Sequence, residues 1–205
     1  MILVSVPSGD LLHADCALSL CNLSVYSALA GVKLRIQSPR SSILPQSRNL
    51  AVKEVLSRPE YTHLMFIDSD LAFPADTLTR LLKHDEDIVG GTYPRRQPSS
   101  GHAVTEVPES FYRDVESEVL VPVEKLPTGM MMIARHVLEE LKAPVFAFGW
   151  NPIDQREVGE DLLFCKAARA AGFGIYAEPR LSHQLVHLGT AGFALRNNRD
   201  EEPVT

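Results

Sequence analysis

The sequence predicts an α/β fold: a mostly parallel central sheet with helices on both faces, and mixed strands in the C-terminal half. Three observations predict it. Short apolar runs alternate with segments of helical apolar spacing through the first half, the pattern of strand–helix–strand crossovers. The run THLMFIDSD (62–70) is apolar over most of its length, as a strand is when both faces are covered. Glycine and proline fall where helices should end or begin.

Taken in order, ILVSVP (2–7) is a buried strand ended by proline. LLHADCALSLCNLSVYSALAG (11–31) carries helical spacing and closes at Gly31. VKLRIQS (32–38) alternates as a second strand, and SILPQSRNLAVKEVLSRP (42–59) leads from a loop into a helix stopped before Pro59. THLMFIDSD is the third strand. PADTLTRLLKH (74–84) reads as a helix with Pro74 in its first turn, and DIVGGTYP (87–94) as the fourth strand. Further on, HAVTEV (102–107) and SEVLVPVEKL (117–126) read as strands near an edge. GMMMIA (129–134) is an apolar strand and RHVLEELKAP (135–144) a short helix. GEDLLFCKAARAAGFGI (159–175) is a helix capped by Gly172 and followed by a strand. No repeat or linker divides the chain, so one domain is expected over residues 1–190, with a polar tail at 191–205.

Composition narrows the function. The chain has 205 residues, 45% hydrophobic and 22% charged, enough for one sizeable core. A net charge of −6 argues against a surface built to grip nucleic acid through its phosphates. Cys16, Cys21 and Cys165 are odd in number and form no Cys-x-x-Cys pair, which argues against a disulfide framework or structural zinc site. The start MILVSVPSGD lacks the basic, long apolar pattern of a signal peptide, and no run is long enough to span a membrane. A cytoplasmic protein is expected.

The chemistry should sit beyond the carboxyl ends of the strands. Asp68 and Asp70 lie at that end of the third strand, Pro7 and Ser8 at that end of the first, and Gly90 and Gly91 near that end of the fourth. Two carboxylates one residue apart repel each other and offer hard oxygen ligands, which suit Mg²⁺ or Mn²⁺. They would equally cap the helix that follows. Glu160 and Asp161 stand at a predicted helix start; they either complement the helix dipole or serve as a general base or substrate clamp. Arg48 and Asn49 open another helix, where Arg48 is either a solvated charge or a grip on a base or phosphate. LSHQLVHLG (181–189) supplies His183 and His187, either structural or metal-binding. PTGMMMI (127–133) places a glycine where backbone turns or approaches a ligand closely.

The joint order of ILVSVPSGD, SRNLAV, LMFIDSDLAFPADTLTRLL, DIVGGTYPRR, LPTGMMMIARHVLEEL, GEDLLFCKAARAAGFGI and LVHLG resembles the small glycosyltransferases of the GT-A fold, the nucleotide-diphospho-sugar transferases. The likeness spans about residues 2–189. It implies a Rossmann-like GT-A domain that moves a sugar from a nucleotide-diphosphate sugar to an acceptor hydroxyl, with Mn²⁺ or Mg²⁺ as cofactor. The acceptor is a glycan, lipid, protein or modified nucleobase. Asp68-Ser69-Asp70 looks like the Asp-x-Asp motif, with Asp70 on the metal and Asp68 on metal or ribose. His187 looks like the late histidine that completes the metal shell. Pro7, Ser8, Arg48 and Asn49 would hold the nucleotide together with Asp68 and Ser69, and Thr128, Gly129 and Met130 would line the sugar and acceptor pocket. Asp161 matches the carboxylate that deprotonates the acceptor in inverting members, with Glu160 its rival. Arg95 and Arg96 would lie near the phosphates or the acceptor.

Three other readings compete. A phosphatase of the haloacid dehalogenase type would use Asp68 as nucleophile, but its motif sits close to the N-terminus, whereas 67 residues precede Asp68, and Leu71-Ala72 replaces the usual Thr or Val. A sugar-nucleotide-forming nucleotidyltransferase would show a basic, glycine-rich loop after the first strand; PSGDLLHAD has one glycine and no lysine or arginine. A catalytically inactive nucleotide-sugar-binding protein would keep the pocket without turnover.

Overall fold

The computed structural model describes residues 1–9, 11–96 and 102–189; the expected polar tail lies outside the described residues. β1 (Ile2–Ser5) is buried along its whole length. It leads to α1 (Ala14–Leu29), after which Gly31 takes φ +74°, a left-handed turn that suits glycine. β2 (Leu34–Gln37) pairs parallel with β1. α2 (Leu44–Ser57) carries Pro45 in its first turn, where a missing N–H costs nothing. β3 (His63–Ile67) pairs parallel with β1 on the other side.

The remaining elements are shorter. They are β4 (Leu71–Ala72), α3 (Thr77–Lys83), β5 (Ile88–Gly90), α4 (Ser110–Arg113), β6 (Val121–Pro122), β7 (Met130–Ala134) and α5 (Arg135–Glu140). β8 (Gly149–Asn151) and β9 (Arg156–Val158) form a hairpin, followed by α6 (Glu160–Ala170), β10 (Ile175–Ala177), α7 (Pro179–Gln184) and β11 (Val186–His187). The main sheet has the order β2-β1-β3-β7-β5-β10-β6. β2, β1, β3, β5 and β10 run one way; β7 and β6 run against them. β4 and β11 pair antiparallel as a separate two-stranded sheet.

The strand period of two sends alternate side chains into two apolar layers. Leu64 and Phe66 of β3, with Met131 and Ile133 of β7, enter the layer that also holds Val52, Val137 and Phe164. Met65 and Ile67, with Met130 and Met132, enter the other, beside Leu20, Leu78 and Leu181. Both faces of β3 and β7 are therefore covered, which is why β7 and residues 64–67 of β3 are continuously apolar. Each such side chain contributes about 1.5–3 kcal/mol by leaving water. Among the described residues no helix is long and apolar enough to cross a membrane.

Some local expectations shift. α3 starts at Thr77 rather than Pro74, because the Pro74 carbonyl caps the turn by accepting both the N–H (3.3 Å) and the hydroxyl (2.7 Å) of Thr77. In HAVTEV, Ala103 makes an isolated bridge to Pro94 and no strand forms. SEVLVPVEKL contributes the two-residue strand β6 at the sheet edge.

Candidate active site

Asp68 follows the last residue of β3, and its N–H bonds the Gly129 carbonyl at 2.8 Å just before β7. That contact extends the β3–β7 ladder one step onto the rim. Asp68 Oδ1 accepts from Arg48 Nη2 at 3.2 Å, and Oδ2 accepts from the Tyr93 hydroxyl at 3.1 Å. Burial, then the nearby Asp68 charge, holds the Tyr93 hydroxyl well above its usual pKa, so it stays a donor. Gly129 is required by this approach: a Cβ there would stand 2.1 Å from Tyr93 Oη and 2.3 Å from Asp68 Oδ2.

Arg48 projects from α2 and is 2% exposed. Its guanidinium lies 5.5 Å from the Phe66 ring centroid, and its Nη1 stands 3.4 Å from Glu160 Oε1. One buried cation thus joins the end of β3 to the start of α6. Arg48 Nε and Nη1 make no hydrogen bond among the described residues. Glu160 is 7% exposed, and its charge is matched by Arg48 and by the amino end of α6. Asp161, half-buried, accepts the Leu162 N–H on Oδ1 at 2.7 Å, which orients its carboxylate.

Asp70 is brought to His187 by the β4–β11 pairing. Leu71 stands opposite His187, and the Leu188 N–H bonds the Asp70 carbonyl at 2.7 Å. His187 Nδ1 lies 2.9 Å from the Pro94 carbonyl. A carbonyl only accepts, so Nδ1 carries the proton and Nε2 is left facing Asp70 Oδ1 at 3.7 Å. Burial opposes charge on His187, but Asp70 and the Pro94 carbonyl outweigh it and raise its pKa above 6.5. Burial likewise pushes Asp70 upward, yet His187 and Arg96 prevail and its pKa falls below 3.8. Arg96 Nη2 pairs with Asp70 Oδ2 at 2.6 Å.

A divalent ion fits part of this arrangement. Asp70 Oδ1 and His187 Nε2 stand 3.7 Å apart: a proton on Nε2 joins them as an ion pair, and once that proton leaves both atoms are acceptors that a divalent ion could join. Oxygen and imidazole suit Mn²⁺ or Mg²⁺. Both Asp68 oxygens are engaged by Arg48 and Tyr93, so two of the three expected ligands come together. Among the described residues no group of three or more His, Cys, Asp and Glu side chains is placed to hold a metal.

The other expected residues are distributed as follows. Pro7 is buried at the end of β1; Ser8 bridges to Arg40, and its hydroxyl lies 2.7 Å from that of Ser38. The Ser69 carbonyl accepts from the His13 N–H at 3.2 Å. Thr128 is buried, and Met130 belongs to the core. Asn49 is committed elsewhere: its amide donates to the Pro45 and Phe146 carbonyls at 2.8 and 2.7 Å and accepts the Phe146 N–H at 3.1 Å. It lines an apolar groove of about 670 Å³ with Val52, Leu56, Leu141 and Pro144. His183 donates from Nε2 to the Phe111 carbonyl at 2.8 Å and is not part of the rim. Arg95 is exposed. Cys16 lies under the rim, but burial pushes its thiol up to about 11, too high for a thiolate nucleophile.

Sequence reasoning missed Tyr93. Its signal was present: an aromatic hydroxyl directly after an apolar strand needs a buried partner.

No protein-family model matches the chain, and no curated protein matches it in sequence. Solved structures do share its fold. A197 from STIV is 19% identical with a TM-score of 0.58, covering 96% of this chain and 94% of that one. GalNAc-T7, solved with UDP, GalNAc and Mn²⁺, is 11% identical with a TM-score of 0.56; 95% of this chain matches 44% of that one. The catalytic domain of Drosophila β1,4-galactosyltransferase 7, in complex with xylobiose, is 13% identical with a TM-score of 0.51, covering all of this chain and 81% of that one. The architecture is therefore that of the GT-A glycosyltransferases. At these identities the likeness is one of fold, and the reading of the site rests on the residues just described.

Proposed function

We propose that the chain is a metal-dependent glycosyltransferase that moves a sugar from a nucleotide-diphosphate sugar to an acceptor hydroxyl. The observation that carries this reading is the pair Asp70–His187, whose Oδ1 and Nε2 stand 3.7 Å apart on the carboxyl-terminal rim of a GT-A sheet. A divalent ion held by these two side chains would neutralise the charge that builds on a departing diphosphate.

The chain's own residues supply the rest. Arg48 holds Asp68 and Glu160 in place, and Tyr93 fixes the second Asp68 oxygen. Asp68 then faces the donor as a rigid acceptor, suited to ribose hydroxyls, with Pro7, Ser8 and Ser69 on the same rim. Asp161, oriented by the Leu162 N–H and less buried than Glu160, takes the proton from the acceptor hydroxyl as that oxygen attacks the anomeric carbon. Glu160, tied to Arg48, is the supporting carboxylate. The β8–β9 hairpin ahead of Asp161 exposes Trp150, and Phe148 is exposed just before it; both are apolar faces on which an acceptor ring can stack.

The phosphatase reading asks Asp68 to be a nucleophile, yet Arg48 and Tyr93 engage both of its oxygens, which blunts attack. The decisive experiment is a thermal-shift titration with UDP- and GDP-sugars in Mn²⁺, followed by assay of nucleoside diphosphate release. Ligand at a hundredfold over Kd stabilises by about 2.7 kcal/mol. Asp70→Asn should abolish the metal-dependent part. No shift with any nucleotide sugar in Mn²⁺ or Mg²⁺ refutes the proposal; a shift without turnover for any acceptor favours a binding protein.

A further inference from the structure

Asp70 divides its two oxygens between different partners. Oδ1 faces His187 at 3.7 Å, and Oδ2 carries Arg96 at 2.6 Å. Arg96 therefore neutralises the same carboxylate that a divalent ion would neutralise. We infer that Arg96 is a placeholder cation: it pairs with Asp70 until a divalent ion binds there and then passes to the diphosphate of the donor. This rests on the function proposed above and adds a donor-binding residue and an order of events to it.

Exposure separates this arginine from the other one at the site. Arg48 is 2% exposed between Asp68 and Glu160 and has nowhere to go. The Arg96 side chain is 51% exposed and its partner Asp70 26% exposed, so water replaces the bond at little cost. The backbone just before it is anchored, since the Pro94 carbonyl holds His187 Nδ1 and Pro94 bridges to Ala103. Arg96 is thus a long side chain on a fixed root beside the carboxylate.

Charge dictates the sign of the exchange. A divalent ion and a guanidinium on one carboxylate repel each other at close range. A diphosphate reverses this, because its oxygens match the guanidinium fork and accept it beside the ion. Metal alone must displace Arg96 for nothing in return, whereas metal with diphosphate satisfies both cations. The two ligands should consequently bind with positive coupling, and Arg96 should carry that coupling.

The test is calorimetric titration of the full chain and its Arg96→Ala variant with Mn²⁺ alone, and then with inorganic pyrophosphate in saturating Mn²⁺. The variant should bind Mn²⁺ alone severalfold more tightly than the wild type and pyrophosphate–Mn²⁺ at least tenfold more weakly. Arg96→Gln, similar in length but uncharged, should behave the same way, with unchanged melting temperatures confirming the fold. If either variant binds both ligands more weakly, or leaves Mn²⁺ affinity unchanged, Arg96 is an ordinary site residue and the exchange is wrong. If the wild type binds neither Mn²⁺ nor pyrophosphate in Mn²⁺, the proposed function itself fails, and the exchange with it.

Discussion

Tyr93 and Asp68 are joined by a 3.1 Å hydrogen bond across the space that a Gly129 side chain would fill. A methyl group at residue 129 must push apart a hydroxyl and a carboxylate that are already bonded. Gly129→Ala should therefore destabilise the fold by about 1–3 kcal/mol in urea unfolding, the usual cost of overpacking. It should also weaken nucleotide binding. Tyr93→Phe, which keeps the ring against His187, should cost less than Gly129→Ala. Equal or smaller loss in Gly129→Ala would show that the gap is not needed.

Arg48 pairs with two carboxylates at once, and removing it leaves both Asp68 and Glu160 without that cation. Arg48→Ala should lose about 3–5 kcal/mol, typical of breaking a buried ion pair from one side. The double variant Arg48→Met/Glu160→Gln should recover part of that loss, because one of the two unpaired carboxylates goes with the cation. Denaturant midpoints compare the two; a double variant no better than Arg48→Ala would mean that packing against Phe66 dominates.

Asn49 makes three hydrogen bonds that tie α2 to Phe146 and to its own first turn. Asn49→Ala should lower stability by about 1–3 kcal/mol, the cost of stranding buried backbone groups. Affinity for nucleotide diphosphates should stay within twofold. A large fall in affinity with unchanged melting would restore the sequence-based assignment of Asn49 to the nucleotide.

The raised pKa of His187 and the lowered pKa of Asp70 set a pH window. The His187 contribution to stability is complete below 6.5, the ordinary value, and fades as pH rises through the raised folded value. The Asp70 contribution is complete above 3.8 and fades as pH falls through the depressed folded value. An Mn²⁺ ion held by His187 would have to displace the Nε2 proton, so its affinity should climb as pH rises through the raised His187 pKa. Titrating Mn²⁺ across that range should show the climb in the wild type and a flatter profile in His187→Ala. Identical profiles would remove His187 from the metal site.

Asp161 and Glu160 are neighbours with different surroundings, and kinetics should separate them. Asp161→Asn should lower turnover about 10²–10⁴-fold, the usual weight of a general base, with donor affinity little changed. Glu160→Gln should act mainly on stability, through Arg48. Wild-type turnover in Asp161→Asn would exclude it as the base.

Much of the frame was legible because both faces of the inner strands are covered: the continuous apolar runs at 64–67 and 130–134 announce buried strands by composition alone. Gly31 and Gly172, at φ +74° and +95°, were readable as helix ends because left-handed backbone suits glycine. The partner of Asp70 was suggested by the order of motifs, but the contact depends on β4 and β11, two-residue strands too short to carry a period. The β8–β9 hairpin escaped for the same reason. Asn49 was misleading since its backbone-capping role depends on Phe146, 97 residues away. Arg48 reads as a surface charge in isolation; only the convergence of Asp68 and Glu160 from distant segments makes burying it tolerable.

The antiparallel strand β7 has a consequence for how the chain is made. It lies between β3 and β5, yet it follows both in sequence, so these two neighbours have no bond between them until residues 130–134 arrive. During synthesis the N-terminal half must wait with one edge of β3 and both edges of β5 unpaired, a state that invites pairing with other molecules. The insertion that ends this wait also delivers Gly129 to Asp68 and Tyr93. Nascent chains halted before residue 130 should therefore be sticky as well as inert, and protection from aggregation should appear together with ligand-binding competence.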